Sequence, residues 1–400
     1  MPERPAPSPD HEIAVVLPGG GARAAYQVGV LRAVASILGR EEQQPFRIIC
    51  GTSAGAINAA TLAVHAESFR RGVARLLSWW RAVEVAKVYR AEFASVATHG
   101  MRWLASVLIG AGGPKDAAAM FDNSPLRSLL SSDLALERIA GKIRDEQLWA
   151  LAINATSYTT GHAVTFFQGS PEIAPWQRTR RRGERAVIAI DHLLASTAIP
   201  FVFPAGRIAD DYYADGSVRQ IAPLSSALHL GARRILVVAV GQFTGQTPTA
   251  RQRAAPSYPS FAQMAGHALS SIFLDNLGAD LERLQRMNHV LSLVPPKTQQ
   301  RHSEFAHIDA LVLTPSRDLS AMAVPYAARL PTGVRYLLHG LGSTEGTGAT
   351  LLSYLLFDNR YTRALLDLGY RDALARRDEI SAFLARGGIR YQPLFPPEFA

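Results

Sequence analysis

Two kinds of pattern alternate along this chain. Short continuous apolar runs suit buried strands, and longer stretches with apolar positions every three or four residues suit helices. The first run, Ile13–Leu17 (IAVVL), ends at Pro18-Gly19-Gly20-Gly21, the way a buried parallel strand enters a tight turn. Ala22–Leu38 then places Val28, Leu31, Val34 and Leu38 at helical spacing, with Gly39 as its stop. A second strand, Phe46–Cys50 (FRIIC), runs into Gly51-Thr52-Ser53-Ala54-Gly55 and the helix-forming Ala54–Ala66. Strand, turn and helix thus repeat twice within about 55 residues, which predicts an α/β fold with a mostly parallel sheet and crossover helices. Leu148–Asn154, Ala163–Phe167 and Ile235–Val240 are further strand candidates.

Between these runs, Ser68–Gly113 reads as helical and is rich in Arg and Trp, and Arg178–Arg185 (RTRRRGER) reads as a basic loop. Met1–Asp10 is Pro-rich and polar, so it is expected to be a flexible tail rather than a secretory signal. A Pro/Gln/Thr-rich stretch, Thr244–Ser260, separates the strand-bearing part from a mostly helical remainder that starts with Phe261–Asn288 and ends with Leu351–Arg386. The expected organisation is a tail at 1–10, a catalytic domain at 11–243, a linker-like stretch at 244–260 and a helical C-terminal extension at 261–400.

Composition narrows the class. Hydrophobic residues at 48% and charged residues at 19% are ordinary globular usage and exclude a largely disordered or fibrous chain. The single Cys50 excludes a disulfide framework and a cysteine-rich zinc site. No apolar window reaches the roughly 18–20 residues that span a bilayer; the best, Trp103–Gly113, is short and broken by glycine. A cytoplasmic or peripheral membrane protein is therefore expected. The 42 basic against 33 acidic residues give a net charge of +9, a surface drawn to phosphate in nucleic acid or lipid headgroups. Nucleic-acid binding is not expected, because no groove-reading motif or stacking platform accompanies that charge.

The candidate chemistry sits in the two glycine-rich turns. Gly51-Thr52-Ser53-Ala54-Gly55 fits G-x-S-x-G between a strand and a helix, the context of a nucleophile elbow. The serine of such an elbow occupies a sharp turn, and Gly51 and Gly55 keep the neighbouring backbone free of side chains. Gly19-Gly20-Gly21-Ala22-Arg23-Ala24 lacks the last glycine of a dinucleotide fingerprint and the G-K-[ST] of a P-loop. As a turn at a helix start it suits an oxyanion hole, in which backbone N–H groups hold a negative oxygen. Arg23 is either a brace for this loop, a source of positive potential, or a solvated surface arginine. A nucleophilic serine needs a base. His162 and His192 flank apolar runs and read as core or surface histidines, whereas Asp215 in Tyr213-Ala214-Asp215-Gly216-Ser217 lies in a turn whose Gly216 lets another backbone approach.

These residues resemble the patatin-like phospholipase family. The ordered motifs are GGGARAAYQVGVLRAV from Gly19, GTSAGAINA from Gly51, LLASTAIPFVFP from Leu193 and YADGSVRQIAPLSSALHLGARRILVV from Tyr213. The resemblance implies a three-layer α/β/α sandwich and a Ser-Asp dyad without histidine that cleaves acyl esters of lipids. Carried over by position, Ser53 is the nucleophile, Asp215 the base, and Gly19, Gly20 and Gly21 the oxyanion hole. The motifs depart from the family pattern at Ala24, which replaces a glycine, and at Ser217, which follows Asp215-Gly216. Adjacency suggests that Ser217 hydrogen-bonds Asp215 and lowers its basicity.

A lipid hydrolase works at an interface, with phospholipid or another acyl lipid as partner and no cofactor or metal implied. Phe69–Val88 mixes Arg70, Arg71, Arg75 and Arg81 with Leu76, Leu77, Trp79 and Trp80, which suits an interfacial helix, although an ordinary amphipathic helix covering the sheet is the favoured reading. The competing expectations are a Ser-His-Asp esterase that recruits His192, and a lipid-binding scaffold that keeps the elbow without turnover.

Overall fold

The structure is a computed structural model that describes residues 13–39, 43–90, 119–242, 276–295, 307–335 and 349–385. The tail at 1–10, the apolar window around residue 103, the 244–260 stretch, the first part of the 261–288 helix and the end of the 351–386 helix lie outside these residues.

Among the described residues a ten-stranded sheet forms the centre, in the order β10 (Asp309–Leu313), β9 (Arg234–Val238), β1 (Ile13–Leu17), β2 (Ile48–Thr52), β3 (Ala150–Ser157), β4 (Ala163–Gly169), β6 (Arg181–Arg185) and β5 (Trp176–Arg178), with the pair of β7 (Gly206–Ile208) and β8 (Asp211–Asp215) joined to β3. Its parallel part comprises β10, β9, β1, β2 and β3. All five positions of β1 are buried and alternate between two apolar clusters: Ile13, Val15 and Leu17 face one layer, Ala14 and Val16 the other. A strand covered on both faces has no use for polar alternation, which explains its continuous apolar run.

On one face lie α1 (Ala25–Ile37), α2 (Ala54–Val64) and α3 (Phe69–Ala82); on the other, Leu277, Leu281 and Leu284 of α5 (Asn276–Ser292) pack with Leu224, Ala227 and Leu230. These are the three layers of an α/β/α sandwich. The C-terminal region is helical, with α6 (Leu319–Ala323), α7 (Ala349–Leu355) and α8 (Asn359–Ala375), and it also supplies the edge strand β10. α8 crosses α1 so closely that a Cβ at Gly29 would collide with the Leu366 carbonyl, and one at Gly369 with the Tyr26 carbonyl.

One expectation is corrected. Arg178–Arg185 is not a loop: β5 (Trp176–Arg178) and β6 (Arg181–Arg185) form an antiparallel hairpin at the sheet edge, with β6 paired to β4 (Ala163–Gly169). Gly183 lies against the Trp176 ring and Arg182 pairs with Glu184 at 2.5 Å, so pairing and packing outweigh charge, and charge on an edge strand discourages further pairing. Of the two readings of Phe69–Val88, the amphipathic covering helix is the one observed, laid over the helical layer. Phe69, Val73, Leu76 and Trp80 are buried on the side of α3 that faces α1, α2 and α8, Trp79 is half-buried edge-on to Trp80, and Arg70, Arg71, Arg75 and Arg81 point outward.

Candidate active site

The register of β3 brings the two candidate residues together. Along one edge, β2 pairs with β3 until Thr52 meets Asn154. At the next position β8 (Asp211–Asp215) takes over, with Asp215 opposite Ala155. The other edge of β3 is occupied by β4 over the same residues, so β2 and β8 share one edge end to end. Ser53, immediately after β2, therefore faces the last residue of β8.

Ser53 has φ 55° and ψ −132°, a left-handed backbone that a residue with a side chain rarely adopts. The surroundings enforce it. A Cβ at Gly55 would run into the Leu17 and Pro18 carbonyls, and one at Gly51 into Gly55 and Ala56. The Ser53 N–H donates to Ser196 Oγ at 2.9 Å, and that hydroxyl donates to the Asn154 carbonyl at 2.6 Å, tying the elbow to β3 through α4 (Ile190–Ser196). Thr52 donates to Gln220 Oε1 at 3.0 Å and receives the Asn154 amide at 3.0 Å. Ser196, Asn154 and Gln220 were not singled out by sequence; the only trace of Ser196 was its place in the LLASTAIPFVFP motif.

Asp215 is fully buried. Its N–H donates to the Ala198 carbonyl at 2.8 Å, its carbonyl accepts the Thr156 hydroxyl at 3.0 Å, and its Oδ1 accepts the Ser217 N–H at 2.9 Å. Oδ2 has no hydrogen bond of good geometry, although the Ser53 hydroxyl is near enough to draw the carboxyl's pKa downward. Burial outweighs that pull and the similar pulls of the Ser217 N–H and hydroxyl, and pushes the carboxyl up to about 6. Gly216 is obligatory here, since a Cβ would collide with the Asn154 carbonyl. The result is a buried carboxyl of raised basicity with one uncommitted oxygen beside a strained serine, an arrangement suited to accepting a serine proton.

The glycine turn lies next to the elbow. Among the described residues, the N–H groups of Gly19 and Gly20 donate to no acceptor, and so remain available to an incoming oxygen. A Cβ at Gly20 would fall 2.6 Å from Val240 Cγ2, while Gly21 has φ 55° and abuts the Tyr354 carbonyl. Ala24 sits at φ −63° and ψ −12°, ordinary helical backbone that needs no glycine. Arg23 is a brace: it is 3% exposed, donates to Ser353 Oγ and Ser320 Oγ at 2.7 Å each, and lies 4.3 Å from the centre of the Tyr354 ring. Behind the turn, Gln27 donates to the Pro18 carbonyl at 2.8 Å, Asn58 donates to Gln27 and to the Ala24 carbonyl, and the Trp80 indole donates to Asn58 at 2.8 Å.

His192 is engaged elsewhere. Its Nδ1 accepts the Ala189 N–H at 3.1 Å, its ring stands edge-on to Phe166 at 4.8 Å, and burial lowers its pKa. Burial pushes the Cys50 thiol up to about 12, which leaves it a packing residue of β2. Among the described residues there is no group of three or more His, Cys, Asp or Glu placed to hold a metal ion, and no helix long and apolar enough to cross a membrane.

A strained serine between a parallel strand and a helix, with a glycine turn beside it, defines the nucleophile-elbow class of α/β folds. Within that class the chain belongs to the patatin-like phospholipase family, whose sequence model matches residues 15–228. It is 27% identical over 215 residues to a cGAMP-activated phospholipase of Pseudomonas aeruginosa (strain BWHPSA011 / Pa011). That alignment takes in 54% of this chain and 55% of the relative, so the chain matches little more than half the relative's length. Similar solved structures include VipD from Legionella pneumophila, at 12% identity and a TM-score of 0.36 over 93% of this chain and 67% of that one. Another is human GIVD cytosolic phospholipase A2 in complex with methyl gamma-linolenyl fluorophosphonate, at 14% identity and a TM-score of 0.42 over 94% and 59%.

Proposed function

We propose that this protein hydrolyses acyl ester bonds of phospholipids or related lipids through a Ser53–Asp215 dyad. The observation that carries the reading is the raised, fully buried carboxyl of Asp215, with a free Oδ2, next to the strained Ser53. Asp215 accepts the Ser53 proton as Oγ attacks the acyl carbonyl, and the tetrahedral oxyanion takes hydrogen bonds from the N–H groups of Gly19, Gly20 and Gly21. Asp215 then protonates the leaving alcohol, giving an acyl-enzyme. In the second half it draws a proton from water, which attacks the acyl carbonyl, and returns it to Ser53. The N-terminus of α2 adds positive potential at Ser53.

The lipid surface is the partner this chemistry needs, and the net charge of +9 favours an anionic one. The test is hydrolysis of a lipid panel and of a short-chain nitrophenyl ester by the wild type, Ser53→Ala and Asp215→Asn. Each substitution lowers turnover by about three orders of magnitude or more while circular dichroism stays native. A folded Ser53→Ala protein that keeps wild-type turnover rejects the proposal.

A further inference from the structure

Beside this site two large apolar side chains are turned to solvent: Phe201 is 69% exposed and Ile221 45%. Phe201 also has φ 68°, a conformation in which a bulky side chain is a genuine outlier. Its backbone and its exposure therefore both oppose stability in the isolated molecule. The loop is nevertheless held firmly. The Phe201 carbonyl accepts the Met120 N–H at 2.8 Å, and the Val202 carbonyl accepts the Phe121 N–H at 3.0 Å. Phe201 is thus a ring presented outward on fixed backbone.

Both residues follow closely in the chain after residues bonded to the candidate site. The Ala198 carbonyl receives the Asp215 N–H, and Phe201 follows three residues later, within about 10 Å by the reach of the chain. Ile221 follows Gln220, which accepts the hydroxyl of Thr52, the neighbour of Ser53. Between Asp215 and Ile221 the chain turns through Gly216–Arg219, and Arg219 is exposed with no ion pair among the described residues.

We propose that Phe201 and Ile221 form an apolar rim that inserts into an anionic lipid surface, with Arg219 at headgroup level. This docks the part of the surface nearest Ser53 and Asp215 against the membrane and rests on the reading of that site as a lipid hydrolase. The chemistry fits that occupant: a ring and a branched aliphatic chain reach the acyl boundary, and a guanidinium contacts phosphate. It also relocates the membrane contact from α3, whose apolar face is buried.

The experiment is vesicle co-sedimentation of the full chain carrying Ser53→Ala, so that binding is read without hydrolysis, using phosphatidylglycerol and phosphatidylcholine vesicles. The parent binds phosphatidylglycerol vesicles. Phe201→Gly and Ile221→Ser each weaken that binding about ten-fold or more, and Arg219→Gln weakens it at low salt but not at high salt. Glycine accepts the backbone of position 201 without strain, so the thermal midpoint of Phe201→Gly does not fall; Phe201→Asn, also tolerant of that conformation, repeats the result. Parent-like vesicle binding by Phe201→Gly overturns the proposal, as does a parent that binds neither vesicle. A dimer that Phe201→Gly dissociates, without vesicle binding by the parent, assigns the patch to a second copy and overturns it too. Failure of the hydrolase reading shows separately, as a wild type that binds vesicles and cleaves no lipid.

Discussion

Asp215 carries the sharpest consequence at the scale of single residues. Its carboxyl rises from 3.8 to about 6 because burial disfavours the charged form. A raised folded-state value stabilises the fold fully below the unfolded pKa, and this contribution is lost as pH climbs through about 6. At neutral pH the ionised group is a net cost on the order of 3 kcal/mol. Asp215→Asn removes that cost and keeps an oxygen for the Ser217 N–H. Its thermal midpoint is expected to exceed the wild type's at pH 8 and to converge with it below pH 4; equal midpoints at pH 8 contradict the buried-charge account. Under the proposed mechanism activity is expected to run the other way, rising as pH passes about 6 and Asp215 becomes able to act as a base. The Ser217 hydroxyl makes no hydrogen bond of good geometry but lies near enough to draw the Asp215 carboxyl downward, so Ser217→Gly is expected to move the acid limb of the pH–rate profile upward; an unmoved limb removes the Ser217 hydroxyl from the account.

Among the elements, legibility followed sequence distance. The elbow was readable because everything that makes it, from the β2 run through Gly51 to Gly55, is contiguous. β5 and β6 were not, because Arg178–Arg185 gains strand character only from pairing with β4 and from Trp176 over Gly183. Asp215 was singled out by its turn and given a role only by family resemblance, since its link to Ser53 depends on where β2 ends and β8 begins on β3. The Gln27–Asn58–Trp80 chain behind the glycine turn was invisible, and Trp80 stayed open between an interfacial and a covering helix because nothing local points its indole at Asn58. Asn58→Ala leaves the Gln27 oxygen and the Trp80 N–H unsatisfied in a buried site. The expected loss is about 2–4 kcal/mol in denaturant unfolding, with hydrolysis reduced as the turn loosens. A loss below about 0.5 kcal/mol makes this network incidental.

For the whole molecule, residues beyond 300 are part of the machinery. β10 closes the edge of the sheet beside β9, α8 crosses α1 at Gly29 and Gly369, and Ser320 and Ser353 receive the Arg23 guanidinium next to the glycine turn. A chain ending at residue 242 would expose the β9 edge and the α1 face and leave Arg23 buried without its hydroxyl partners. It is expected to be insoluble or to lack a cooperative unfolding transition, and a soluble, active fragment of that length contradicts this account. In the proposed reading, the basic charge, the braced turn and the exposed Phe201 serve one end, an α/β/α core that presents Ser53 to lipid.

The central claim is that Ser53 is a nucleophile activated by Asp215. Its most direct measurement is covalent labelling by a fluorophosphonate, with the modified peptide identified by mass spectrometry. The account predicts a single adduct on Ser53 in the wild type, none in Ser53→Ala, and labelling of folded Asp215→Asn slowed about a hundred-fold or more. A wild type that is not labelled, or an Asp215→Asn protein labelled at the wild-type rate, would contradict it.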